Sequence, residues 1–347
     1  MLAAVYHGPN DLRVEEVPTP IIGPGEILLR VNSASICGTD LRIFHGDHRK
    51  YPPGTVRIPG HEVVGTIAEI GEGVKGFVPG QKVFIAPNMG CGHCRQCISG
   101  NNNLCANYDA IGISLDGGFA EYLRVPAQAV MQGNVFPISD GIDSGAAALI
   151  EPFACVLRGQ NAVGIQPGEV VLIMGAGPIG IMHTKLARLR GAGRVVVSEL
   201  MPERLAQAAR LGADRVVNPA QEDLGRVIAE ETDNQGADVV IVAAPAHAAQ
   251  ESALQLAGIS GRINFFGGLP KDRSIIQFDS NIVHYKELYV TATSACSTAN
   301  CMQATEILTS GQIDLSPLIS HRFPLSEAIA AFSAAQEYKS LKVVLEP

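Results

Sequence analysis

A thiol, an imidazole and two carboxylates stand in contexts that would suit a metal ion with one open position. They are Cys37 in Cys37-Gly38-Thr39-Asp40, His61 and Glu62 in Gly60-His61-Glu62-Val63-Val64-Gly65, and Glu151 in Glu151-Pro152. Thiolate, imidazole and carboxylate are the donors of a zinc ion that keeps a place for substrate. Singly each is weak evidence, since a lone cysteine after a strand is usually packing and a histidine between glycines usually belongs to a loop. The same chain carries a second metal signature and a dinucleotide fingerprint, in a consistent order.

The second signature is Cys91-x-x-Cys94-x-x-Cys97 followed by Cys105. Four thiolates in one loop suit a closed, tetrahedral zinc. The short ferredoxin run, the iron–sulfur rival, has a smaller last gap and a proline after its final cysteine, and neither holds here. His93 lies inside the loop, but four sulfurs already close the site, so it reads as a surface histidine.

The fingerprint is Gly175-Ala176-Gly177-Pro178-Ile179-Gly180, which follows an apolar strand and opens a helix. Its glycines permit a tight turn and close approach of a pyrophosphate to backbone, and the helix N-terminus attracts the phosphate charge. Glu199 ends the next strand, where a carboxylate accepts hydrogen bonds from the adenosine ribose and repels a 2′-phosphate, so NAD is expected over NADP. Arg204, five residues on, either covers the adenine or helps to hold a phosphate.

These residues need a scaffold. Up to about Val135 the chain reads as short β-branched runs (Leu12–Val17, Glu26–Val31, Glu62–Ile70) separated by turn glycines and prolines. Asp143-Ser144 caps an apolar run to Val156, which sets Glu151 early on a helix. Beyond Gln166 strands and helices alternate. Strands are expected at Val170–Met174, Arg194–Ser198, Arg215–Asn218, Asp238–Ala243, Arg262–Phe266 and Leu288–Thr291, with helices at Pro202–Leu211 and Ala246–Ala257, a pattern that implies a doubly wound parallel sheet. A helix at Ala299–Thr309 and a strand at Lys342–Leu345 are expected to return to the first unit. The fold class is α/β, with domains at 1–155 and 156–294 and a return segment at 295–347; the zinc lobe occupies about 88–108.

The 347 residues and 46% hydrophobic content allow two well-buried domains. A net charge of −8 and the lack of a long basic run disfavour nucleic acid and anionic membrane. The N-terminus turns polar too soon for a signal peptide, and Val170–Met182 is too short for a membrane span. A cytoplasmic protein acting on small molecules is expected. Four of eight cysteines crowd into 91–105, which reads as metal binding in a reducing compartment rather than as disulfides.

Together the motifs, with Asp116-Gly-Gly-Phe-Ala-Glu-Tyr122, resemble the zinc-dependent medium-chain alcohol dehydrogenases, and within them the sorbitol (polyol) branch. The resemblance implies a GroES-like, mostly β catalytic domain, a Rossmann NAD-binding domain, an active site in the cleft between them, two zinc ions per chain (one catalytic, one structural) and a homodimer or homotetramer. It makes Cys37 and His61 zinc ligands, Thr39 the hydroxyl that passes the alcohol proton on, and Asp40 a support behind the metal. Glu62 and Glu151 compete for the remaining ligand position. The implied reaction is oxidation of a secondary alcohol, first a polyol, to the ketone; threonine or a simple alcohol, or a non-catalytic NAD-binding role, are the alternatives.

Three departures bear on substrate. Arg42 stands where relatives end the proton relay with histidine, leaving His45 or bulk water for that task. Ile43-Phe44 and Ser294-Ala295 replace residues with which the polyol branch holds its substrate. The cluster His45-Gly-Asp-His-Arg-Lys50 is either a solvated loop or, through Arg49 or Lys50 with Arg42, a seat for an anionic group.

Overall fold

The computed structural model describes residues 1–337 and 339–347. The chain divides into two compact units, one of residues 1–154 with 296–347 and the other of residues 155–295.

The first unit is built on a seven-stranded sheet. Its central strand, Ile27–Ser35, pairs antiparallel with Glu62–Ile70, with Tyr122–Val125 and with the last strand, Lys342–Glu346. Ile27, Leu29, Val31, Val63, Ile67 and Phe119 are among the buried side chains of its core. The register shifts between Val31 and Ser33, opposite Val64 and Gly65. A Cβ at Gly65 would overlap the Arg30 carbonyl oxygen, so only glycine lets the strands close up there. That close pairing fixes the start of the Glu62–Ile70 strand, and with it His61 and Glu62. The helix Gly38–Phe44 follows Ile27–Ser35 directly after Cys37, at the same end, since Ser35 pairs with Glu62.

The apolar run after Asp143 forms two helices rather than one. Asp143 accepts a hydrogen bond from Ala146 N and caps Ser144–Ala148, and a new helix begins at Ile150. Pro152 explains the restart, because proline lacks the donor an interior helical residue needs but is tolerated in a first turn. Glu151 therefore sits in the first turn of Ile150–Val163.

The second unit holds six parallel strands in the order Arg215–Val217, Arg194–Ser198, Val170–Met174, Ala237–Val242, Ala257–Phe265, Tyr289–Ala292. Numbered along the chain this is 3-2-1-4-5-6, the dinucleotide-binding order. Its middle strands are covered on both faces, which is why they read as unbroken apolar runs. The order reverses between Val170–Met174 and Ala237–Val242, and the glycine-rich turn lies at the C-terminal end of the first.

Packed under that turn, His183 is wholly buried on the helix Pro178–Leu189. Its ring meets Phe266 edge-on with centroids 4.8 Å apart, and Gln160 Nε2 donates to its backbone carbonyl at 2.8 Å. Burial, and next the charge of Arg190, push its pKa down to about 3. The folded state thus holds this histidine neutral while the unfolded chain protonates it near pH 6.5, so its contribution to stability falls as pH drops from about 6.5 toward 3. His183→Met is expected to shrink the loss of stability between pH 7 and pH 5 by about 2 kcal/mol. Urea unfolding followed by circular dichroism at both pH values measures it, and an unchanged loss contradicts the assignment.

Candidate active site and metal centres

Cys37, His61 and Glu62 converge: one ligand atom from each lies within 4.8 Å of the others. The helix after Cys37 turns Asp40 back, so that Asp40 Oδ2 accepts a hydrogen bond from Cys37 N at 2.8 Å. Asp40 Oδ1 lies 3.4 Å from His61 Nδ1, an ion-pair distance without hydrogen-bond alignment. This orients the ring and leaves Nε2 as its other donor atom. Burial works most strongly against a charge on His61, but the Asp40 carboxylate and the Cys37 sulfur together outweigh it and hold the pKa well above the usual value.

Of the two candidate carboxylates, Glu62 belongs to this donor group and Glu151 stands in a separate one with Cys296. Glu62 is fully buried; its Oε2 accepts from Lys342 Nζ at 2.6 Å, while its Oε1 has no hydrogen-bond partner. Glu151, also buried, lies 3.5 Å through Oε1 from Cys296 Sγ. Burial raises the Glu151 pKa, His61 opposes that rise, and the Glu62 charge adds to it. The two carboxylates therefore feel one another, which is costly unless a cation lies near. A zinc ion fits this set: it would draw on Cys37 Sγ, His61 and the partnerless Glu62 oxygen, with Glu151 at the edge. Thr39 Oγ1 accepts a hydrogen bond from Arg42 Nη2 at 3.0 Å.

The four-cysteine lobe is a separate centre. Sulfur separations of 4.0 Å for Cys91–Cys97, 3.5 Å for Cys94–Cys97 and 3.8 Å for Cys94–Cys105 approach the edge of about 3.8 Å of a tetrahedron with zinc–sulfur bonds near 2.3 Å. Backbone N–H groups at His93 and Cys94 pull the Cys91 thiol down to about 6, which favours the thiolate a metal requires. His93 is exposed and its Nδ1 is 2.9 Å from Cys91 O, so it stays outside the sulfur cluster.

In the second unit a cavity of ≈ 670 Å³ opens beside the glycine-rich turn. Gly175, at φ +109°, brings the turn against Ala244, and a Cβ at Gly180 would overlap the Gly175 carbonyl. Gly177 caps the following helix, with Pro178 and Ile179 in its first turn. Glu199 lines the cavity, its Oε2 accepting from Ala176 N at 3.0 Å and its Oε1 from Leu200 N at 2.7 Å. Arg204 approaches Glu199 at 4.0 Å. Glu222 and Asp223 line the same cavity. Sequence reasoning passed over them, although two adjacent carboxylates soon after a strand end mark a rim that repels phosphate. The cavity fits the nucleoside end of a dinucleotide.

The family model for the alcohol dehydrogenase GroES-like domain matches residues 23–135, and that for zinc-binding dehydrogenases matches residues 178–310. L-threonine 3-dehydrogenase of Yersinia pestis (strain Pestoides F) is 36% identical over 333 residues, covering 95% of this chain and 94% of that protein. The chain belongs to the zinc-dependent medium-chain alcohol dehydrogenases. Among solved members of this dehydrogenase family, a zinc-binding dehydrogenase of Sinorhizobium meliloti 1021 bound to NADP is 32% identical with a TM-score of 0.92, over 100% of this chain and 99% of that one. L-idonate 5-dehydrogenase of Escherichia coli K-12 is 25% identical with a TM-score of 0.89, over 100% and 98%.

Against the expectations for this dehydrogenase, His45 is turned away from Thr39: its ring nitrogens lie 2.9 Å from Asn10 Oδ1 and 3.2 Å from Gln336 Oε1. Ile43 is fully buried and Phe44 packs on Phe332, so neither takes the place of a substrate-holding tyrosine. Lys342 was missed. Its signal was a lysine opening an otherwise apolar strand, Lys342-Val-Val-Leu-Glu346. His48 was read only as part of a charged loop, yet it is half-buried and feels the charges of Arg42 and His61.

Removing the Lys342 ammonium leaves Glu62 as an uncompensated buried charge. Lys342→Met is expected to cost about 3–5 kcal/mol in zinc-free protein. The cost should be smaller in zinc-loaded protein, where the metal supplies the missing countercharge. Thermal melts with and without chelation measure both, and equal losses contradict a cation beside Glu62.

Proposed function

We propose that this dehydrogenase oxidises a secondary alcohol to a ketone with hydride transfer to NAD, using one zinc at the Cys37–His61 site and another in the four-cysteine lobe. The observation that carries the reading is the convergence of Cys37, His61 and Glu62, one of whose carboxylate oxygens has no hydrogen-bond partner, with Thr39 two residues after Cys37. Zinc in that donor set supplies a Lewis acid that lowers the pKa of an alcohol hydroxyl. Thr39 Oγ1 has a lone pair left after accepting from Arg42, so it can take the hydroxyl proton while its own O–H passes one onward. Arg42 keeps its charge and cannot carry that proton further, so solvent at this exposed edge is the acceptor. Cys296 and Glu151 close the buried side and keep bulk water from it.

Glu199 supports NAD over NADP, because a 2′-phosphate in this cavity would meet its carboxylate, whereas Glu222 is already paired with Arg215 Nη2 at 2.5 Å. The NADP-bound relative makes this choice worth testing directly. The substrates named for two relatives, L-threonine and L-idonate, both carry secondary hydroxyls at the named position. The polyol reading draws support from the resemblance to the polyol branch. The threonine reading draws it from the 36% identity and from Ile43-Phe44 and Ser294-Ala295 standing where the polyol-holding residues are expected. A homodimer or homotetramer in the cytoplasm completes the proposal on the resemblance alone; no helix among the described residues is long and apolar enough to cross a membrane.

NAD and NADP reduction across polyols, sugar acids, threonine and short secondary alcohols tests the reading. Activity with a secondary alcohol and NAD is expected, and Thr39→Val should lower kcat about 10²-fold or more. No turnover with any secondary alcohol, or a preference for NADP, overturns the corresponding part. Elemental analysis should find two zinc ions per chain, and one in Cys105→Ser; an unchanged count in that variant removes the lobe as a zinc site.

A further inference from the structure

Among the described residues the segment after Cys37, which also holds Asp40 and Asp47, gathers cations without an ion pair. Arg42 is exposed and makes a side-chain hydrogen bond to Thr39 Oγ1 at 3.0 Å. Arg49 and Lys50 lie over the Tyr108 ring, 5.9 and 5.0 Å from its centroid, and bond to its hydroxyl and carbonyl oxygens, both at 3.3 Å. Among the described residues none of the three forms an ion pair, in a chain with 34 acidic residues against 26 basic ones. The nearest buried carboxylate, Asp40, is already engaged by Cys37 N and His61.

His48 stands inside this positive field. Its Nδ1 accepts from Lys50 N at 3.3 Å, which makes Nε2 the N–H donor of the neutral ring. Burial first, then Arg42, His61 and Arg49, push its pKa down to about 4, so near neutral pH it offers a donor without adding charge. Arg49 and Lys50 are steered by Tyr108; Arg42 is the cation beside the reacting hydroxyl.

Resting on the secondary-alcohol reading, we infer that Arg42 receives a carboxylate of the substrate, so that the enzyme acts on hydroxy acids rather than on neutral polyols. A carboxylate presents two coplanar oxygens to the guanidinium edge left open by Thr39, a match that a lone hydroxyl lacks. The same contact sets the reach. With hydrogen bonds of about 2.8 Å from Thr39 to the reacting oxygen and from Arg42 to the carboxylate, on either side of the 3.0 Å contact between them, the two groups lie no more than about 9 Å apart. The substrate class is therefore short-chain hydroxy acids, amino-substituted ones included.

The test uses zinc-loaded enzyme with NAD and isosteric pairs: 3-hydroxybutanoate against 3-hydroxybutanamide for turnover, and the tertiary alcohol 3-hydroxy-3-methylbutanoate against its amide for binding by calorimetry. Wild type is expected to favour the acid about 10- to 100-fold in kcat/KM and in affinity. Arg42→Gln should bring both ratios close to one, and Arg42→Lys should restore part of them. Equal use of acid and amide by wild type, or a preference that survives Arg42→Gln, overturns the inference while leaving the dehydrogenase reading intact. Preference for propane-1,2-diol 1-phosphate over the acid overturns the carboxylate assignment. If no secondary alcohol reduces NAD, the dehydrogenase reading fails instead, and the binding ratios of the unreactive pair still decide the anion seat.

Discussion

Buried negative charge governs the first unit. Asp40, Glu62 and Glu151 are all withdrawn from water, with the Lys342 ammonium and the His61 imidazole as the cations against them. Carboxylates in a desolvated space are tolerated when each is hydrogen-bonded and the local sum of charge is near zero. Asp40 and Glu62 each meet half of the condition, through Cys37 N and through Lys342, and the other Glu62 oxygen is left for a metal cation. The chain path follows from this demand. Lys342 lies 280 residues from Glu62 in sequence, and the last strand must return to pair Val344 with Ser35 and Leu345 with Ala34 before its ammonium can reach Glu62 and the Ile36 carbonyl. A return segment that merely completed a sheet would need no lysine there.

What could be read from sequence divides along the same line between local and non-local causes. Strands such as Val170–Met174 and Arg194–Ser198 stand where the apolar runs put them, because a parallel strand covered on both faces writes its burial into consecutive residues. The glycine-rich turn was legible because its demands on φ and on close approach fall on residues three to five apart. Asp143 was legible as a cap, but the break at Leu149 was not, since the run stays apolar and only Pro152 marks the restart. At the site, Cys37, His61 and Glu62 each sit in a short motif that can be recognised alone. Lys342, Cys296 and His48 have no such motif. They reach the site through sheet register, the return of the chain, and a loop whose course depends on Tyr51 and Tyr108.

The glutamate pair illustrates a limit of motif reading that geometry removes only in part. Sequence left Glu62 and Glu151 as equals. In the fold Glu62 shares the compact donor set with Cys37 and His61, while Glu151 has a cysteine thiol for a neighbour and a pKa raised by burial. Burial there favours the neutral form of the Glu151 carboxyl. Glu62 instead has a lysine ammonium 2.6 Å away, so the two carboxyl groups stand in different electrostatic settings.

Arg42 shows how a single residue can couple substrate choice to proton transfer. Where a histidine would carry the proton away, a guanidinium 3.0 Å from Thr39 Oγ1 stays charged at every working pH. Its loss as a relay has a compensation, because a fixed cation near the reacting oxygen favours the negative charge that develops as the proton leaves. At about 6 Å and an effective dielectric near 20 this attraction is on the order of 3 kcal/mol, and less at so exposed a position. A carboxylate seated on Arg42 would cancel part of that help, leaving the metal as the main source of stabilisation for the alkoxide. On the hydroxy-acid proposal, the arrangement would give up some electrostatic assistance in return for holding the hydroxyl at Thr39 through the substrate's own charge, which would serve hydroxy acids and leave neutral alcohols poorly placed.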